Sequence, residues 1–99
     1  MKLDLEEIDM VSFTQDIYGG FQEIAVQKNI NYQFDCSMES LILFIDRKKI
    51  DKVLYNLLSN AFKFTPDGGE ISLSLWKKES VYGFTIRDNG IGIPEEKLS

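Results

Sequence analysis

With 99 residues, 43% of them hydrophobic and 27% charged, the chain has globular composition and room for one small domain, residues 1–99. Eleven basic against sixteen acidic side chains leave a net charge of −5, which disfavours nucleic acid as partner, and no apolar run approaches the roughly 18 residues that span a bilayer. A lone Cys36 closes no internal disulfide, and without histidine the chain can hold no His-based general base, His metal site or Ser-His-Asp triad.

The start, Met1-Lys2-Leu3-Asp4, lacks the apolar core of a signal peptide, so the cytoplasm is the expected compartment. A short strand is expected over Leu3 to Ile8. Ser12 with Gln15 matches a capping box, and Phe13, Ile17, Phe21, Ile24 and Ala25 fall on one face, which predicts a helix running to about Lys28. Gly19-Gly20 inside it should cost about 1 kcal/mol each relative to Ala, so either the helix kinks there or something packs close. Ile30, Tyr32 and Phe34 alternate with polar residues as a half-buried strand does, and Leu41 to Ile45 is an apolar run of strand length. Asp46 can cap a second helix reaching about Phe64, which the cluster Thr65-Pro66-Asp67-Gly68-Gly69 stops. Ile71, Leu73 and Leu75, then Tyr82, Phe84 and Ile86 beyond a turn at Lys78-Glu79-Ser80, predict an antiparallel hairpin from Glu70 to Arg87. This order favours an α+β fold, helices on one face of a mixed sheet, over a doubly wound one.

The second helix carries two faces. Ile50, Val53, Leu54, Leu57, Leu58, Ala61 and Phe62 fill a broad apolar arc, while Asn56, Asn60 and Lys63 share a narrow stripe pointing away from its centre. Asn forms helices poorly, so two at i and i+4 have either the ordinary explanation of a solvated face or a chemical one. In the chemical reading Asn60 offers a carbonyl oxygen to Mg²⁺ and Lys63 a mobile charge to a phosphate. The second signal is Asp88-Asn89-Gly90-Ile91-Gly92-Ile93-Pro94 at the end of the last predicted strand. Gly90 and Gly92 remove side chains where a flat ligand could lie, and ionised Asp88, an acceptor only, suits the exocyclic amino group of adenine. Asn89 and Pro94 read as turn chemistry. No Gly-Lys-Ser or Gly-Lys-Thr follows the glycines, so this is not a P-loop.

Together these segments carry a resemblance. Asp51-Lys52-Val53-Leu54-Tyr55-Asn56-Leu57-Leu58-Ser59-Asn60-Ala61-Phe62-Lys63-Phe64-Thr65-Pro66, followed by Gly68-Gly69 and by the segment Asp88 to Pro94, resembles the N box and first glycine box of the histidine kinase ATP-binding domain. That resemblance implies a two-layer α/β sandwich of the Bergerat (GHKL ATPase) type, truncated after the first glycine box. It implies an ATP site in which Asn60 holds Mg²⁺ at the phosphates and Asn56 lies one turn earlier. Lys63 would reach phosphate oxygens, Phe64 would lie beside the adenine, and Asp88 would accept its amino hydrogens. Gly90 and Gly92 would let the loop approach the base, and Ile93 would pack on it; for Phe64 and Ile93 a core role is the alternative.

The implied function is the catalytic module of a two-component sensor histidine kinase, an enzyme that passes the ATP γ-phosphate to a histidine on a separate dimerisation domain and thence, in a phosphorelay, to a response regulator receiver domain. Many such kinases are membrane-bound, with this domain on the cytoplasmic side. Two alternatives remain: an ATP hydrolase of the same fold, and a non-catalytic regulatory domain. Hydrolases of the fold place a Glu as general base one turn before the Mg-binding Asn, where this chain has Asn56, an amide that takes no proton. The second, phosphate-gripping glycine box of the family is not found in these 99 residues, so the chain alone is expected to be inactive, to bind ATP weakly or not at all, and to self-associate through an uncovered hairpin edge.

Overall fold

The computed structural model describes residues 4–88 and the backbone of a further two-residue strand. Its elements are β1 (Leu5–Asp9), α1 (Met10–Gly19), α2 (Gln22–Gln27), β2 (Asn31–Asp35), β3 (Ile42–Asp46), α3 (Arg47–Phe64), β4 (Glu70–Lys78), β5 (Val81–Asp88) and β6 (Glu96–Lys97). The hairpin is the centre of a four-stranded mixed sheet ordered β2-β4-β5-β6, in which β2 runs parallel to β4 and the other pairs are antiparallel. Its turn is tight: Lys78 pairs with Val81, and Glu79 takes a left-handed φ of 59°.

Alternation sends Ile71, Leu73, Leu75, Phe84 and Ile86 to one face of this sheet, all within 1% of full burial. Over them lie Leu54, Leu58, Ala61 and Phe62 of α3 and Met10, Val11 and Phe13 of α1, which makes one core covered by helices on a single side. Tyr18 and Tyr32 clasp α1 to β2: each hydroxyl donates to the other residue's carbonyl at 3.0 Å, with the rings stacked at 4.2 Å. Burial first, then the neighbouring Tyr18, pushes the Tyr32 phenol above its ordinary pKa. Among the described residues no helix is long and apolar enough to cross a membrane.

The remaining strands depart from the expected single sheet. β3 pairs antiparallel with β1 as a separate ribbon, Leu5 opposite Asp46 and Asp9 opposite Ile42. Only one face of such a ribbon can meet the core, so Leu43 and Ile45 are half-buried while Ile42 and Phe44 stay exposed. The apolar run thus reads as more buried in sequence than it is. Val53 and Ile24, placed on the apolar helix faces by their spacing, lie at the margins of those faces and are 39% and 38% exposed.

The first helix differs in two ways. Its N-cap is Asp9, not Ser12, because the Asp9 carboxylate accepts from Val11 N–H at 3.1 Å and also from Leu41 N–H at 3.0 Å. It does not run on to Lys28 but breaks at Gly20 and Phe21. There the Gly20 N–H is shared by the carbonyls of Asp16 and Ile17, and the Phe21 N–H bonds Tyr18, the tighter spacing of a terminating turn. Nothing packs within 4 Å of a Cβ on Gly19, whereas one on Gly20 would come within 3.3 Å of the Ile17 carbonyl, so the pair marks the break, with a close backbone approach at Gly20. It also turns the Phe21 ring onto Phe62, stacked at 5.5 Å.

Candidate functional site

α3 begins where Asp46 accepts from Lys49 N–H and ends at Phe64, just before Pro66. Leu54, Leu58, Ala61 and Phe62 are anchored in the core, and this rotation of the helix leaves Asn56, Asn60 and Lys63 exposed on the opposite stripe. Phe64 is 51% exposed, and the Lys63 ammonium lies 5.4 Å from the centre of its ring. An aromatic ring this accessible, two residues from fully buried Phe62, lies outside the core.

β5 supplies the second part. Asp88 is its last residue and pairs with Ile71, so it stands on the helix-covered side of the sheet, half-buried, with Oδ2 out of solvent. The turn 65–69 joins Phe64 directly to β4, whose first residues lie beside Asp88. The end of α3 and the end of β5 therefore share one end of the sandwich. Gly90, Gly92 and Ile93, like Asn89 and Pro94, lie outside the described residues.

The turn is held by a residue that periodicity does not single out. Lys28, at the end of α2, donates from Nζ to the carbonyls of Phe62 and Thr65, and its own carbonyl accepts from Gly68 N–H at 2.9 Å. Asn31 N–H bonds the Gly69 carbonyl at 2.9 Å, and Gly68 takes φ +83°, which a side chain would resist. A concavity of about 870 Å³ lies elsewhere: Ser72, Ser74, Trp76, Thr85 and Arg87 line it on the outer face of the sheet. It shares no residue with the α3 stripe, and size alone does not make it the site.

The donor set fits a small hard cation held jointly with phosphates better than one caged by protein. Among the described residues no group of three or more His, Cys, Asp or Glu could hold a metal. Exposed Asn60 instead presents an amide oxygen on a rigid helix, and Mg²⁺ commonly takes one or two protein ligands and completes its octahedron with water and phosphate.

Both the sequence and the fold have known relatives. Residues 45–99 match the family described as histidine kinase-, DNA gyrase B-, and HSP90-like ATPase. Histidine kinase P4 of Formosa agariphila is 37% identical over 94 residues, which is 95% of this chain but 7% of that protein. Sensor histidine kinase TmoS of Ectopseudomonas mendocina is 38% identical over 96 residues, 96% of this chain and 10% of that protein. The catalytic domain of histidine kinase ThkA superposes with a TM-score of 0.84 at 26% identity, over 93% of this chain and 63% of that one. The chain thus spans a tenth or less of those two kinases and under two thirds of the solved domain. It belongs to the histidine kinase-, DNA gyrase B- and HSP90-like ATPase family, and within that family it is of the kind that forms the catalytic, ATP-binding domain of two-component sensor histidine kinases.

Proposed function

We propose that this chain binds Mg-ATP along the α3 stripe and against the end of β5, on the cytoplasmic side of its membrane or free in the cytoplasm, and presents the γ-phosphate to a histidine on a dimerisation domain. The observation that carries the reading is that Asn56, Asn60, Lys63 and Phe64 are all exposed along the last turns of a helix whose end shares one end of the fold with Asp88. Asn60 would hold the metal and Lys63 a phosphate oxygen, with Phe64 beside the base and Asp88 accepting its amino hydrogens. Gly90, Gly92 and Ile93 follow Asp88 in sequence, where a loop could close on the base. Bound Mg²⁺ would bridge the phosphates and offset their charge. The family includes hydrolases, and Asn56 favours the kinase reading: its amide cannot accept a proton from water, which spares ATP for transfer. The acceptor histidine lies on another segment or chain, since this one has none. ThkA has been solved with response regulator protein TrrA, and a receiver domain is the corresponding downstream partner proposed here.

Asn60→Ala in the full-length protein should remove the Mg²⁺ dependence of ATP binding. It should leave stability within about 0.5 kcal/mol, because the side chain is exposed and Ala favours helix. Calorimetric titration with and without Mg²⁺, on a variant shown to be folded, checks this; unchanged Mg²⁺ dependence returns Asn60 to the solvated face.

The chain by itself is proposed to be inactive and to self-associate. Leu5, Ile42 and Phe44 of the β1–β3 ribbon are exposed, which leaves apolar surface for a second copy to cover. Light scattering coupled to size exclusion should show a species larger than a monomer at micromolar concentration, and a monodisperse monomer would exclude it.

A further inference from the structure

The C-terminus of α3 has a defect built into its sequence. In an α-helix the carbonyl of residue i accepts from the N–H of residue i+4, and the partner due to Phe62 is Pro66, which has no N–H. Ala61, one residue earlier, keeps its bond, from Thr65 N–H at 3.0 Å. The proline that stops the helix therefore orphans the Phe62 carbonyl, in a residue that is only 2% exposed and out of reach of much water.

The missing donor comes from another element. The half-buried Lys28 ammonium meets the Phe62 carbonyl and, at 3.0 Å, that of Thr65. A cation is favoured here twice over, as a charge-assisted donor and as the counterpart of the negative end of the helix dipole. Two backbone bonds, Gly68 N–H to the Lys28 carbonyl and Asn31 N–H to the Gly69 carbonyl, join the same two segments. The α2–β2 corner and the 65–69 turn are thus fastened through both side chain and backbone. The residues between these anchors and the stripe are few: Lys63 and Phe64 lie between the two carbonyls that Lys28 holds, and Asn60 is within one turn of the first.

We propose that Lys28 is a positioning residue for nucleotide binding: by replacing the hydrogen bond that Pro66 cannot make, it fixes the last turn of α3 and so the placement of Asn60, Lys63 and Phe64. It touches no nucleotide itself. The inference rests on the ATP reading of the stripe, and the tests below separate the two.

Lys28→Met keeps the aliphatic stem and removes the donor, while Lys28→Arg keeps a cationic donor able to reach two carbonyls. Amide hydrogen exchange of the 99-residue chain reads the turn without any nucleotide, and Mg-ATP titration of the full-length protein reads the consequence. In the Met variant the amides of Phe64, Thr65, Gly68 and Gly69 should exchange about ten-fold faster, with those of the β4–β5 hairpin within about two-fold of the original, and ATP affinity should fall about ten-fold. Arg should restore both to within about three-fold. Lys28→Gln, with a neutral amide donor, serves in place of Met if that variant does not fold, with the same localised loosening expected. Uniformly faster exchange through the core, unchanged nucleotide affinity, or an Arg variant as impaired as Met would each overturn the proposal. An unsubstituted protein that binds no Mg-ATP would refute the ATP reading instead, and the exchange pattern alone would still decide whether Lys28 holds the turn.

Discussion

Phe62→Ala should destabilise the chain by about 3 to 5 kcal/mol, whereas Phe64→Ala, two residues on, should change stability by under about 1 kcal/mol. The rings differ in what they touch. Phe62 is 2% exposed, stacks on Phe21 with planes only 6° apart, and meets the edge of Tyr32 at 4.9 Å. It thereby joins α3 to the helix break and to the edge strand, and its removal leaves a cavity at the meeting point of three elements that cannot collapse together. A domain of this size has a total stability of about 5 to 15 kcal/mol, so that loss is a large part of it. Phe64, half in solvent, stacks on no other ring among the described residues. Urea denaturation followed by circular dichroism checks the pair, and equal midpoints for the two variants would contradict this account of the helix faces.

Asp88→Asn should weaken ATP binding in the full-length protein by about 1.5 to 3 kcal/mol, roughly 10- to 150-fold, the range for a hydrogen bond that involves a charged group. The carboxylate ends a strand whose partner, Ile71, is 1% exposed, so its backbone is held by the sheet and its direction by the register. The substitution is nearly isosteric, but it removes the charge and brings a donor towards the amino group of adenine. GTP, which carries a carbonyl at the corresponding ring position, should not suffer the same loss. Calorimetric titration of both nucleotides decides it, and undiminished ATP affinity would remove Asp88 from the base pocket.

What local pattern controls is legible in the amino-acid sequence. The bounds of α3 follow from a capping Asp46 and a Thr65-Pro66 stop, and the hairpin from alternation around a short turn; each depends on neighbours within a few residues. The stripe of Asn56, Asn60 and Lys63 is legible for the same reason, since helical rotation alone puts the three together. Pairing across long separations is not. Asp9 displaces Ser12 as the cap partly because it also serves Leu41, 32 residues away, and β3 turns to β1 instead of joining the larger sheet. Lys28 leaves no periodic trace either. Its only clue is indirect: Pro66 implies an orphan carbonyl at Phe62, but which distant cation answers it depends on the folded chain.

The parallel pairing of β2 with β4 has a bearing on how the molecule is assembled. β4 and β5 meet across a two-residue turn, so their ladder closes at small entropic cost, whereas β2 must find β4 with all of β3 and α3 looped out between Asn31 and Glu70. The β2–β4 contact is the non-local one of the two, and non-local pairing is the slower kind to form. Asn31 is also the residue that bonds Gly69, and Lys28 lies three positions before it. The register that completes the sheet is thus the same event that brings the Lys28 ammonium to the end of α3, so the last turn of that helix takes its final shape only when a strand from a distant part of the chain has docked.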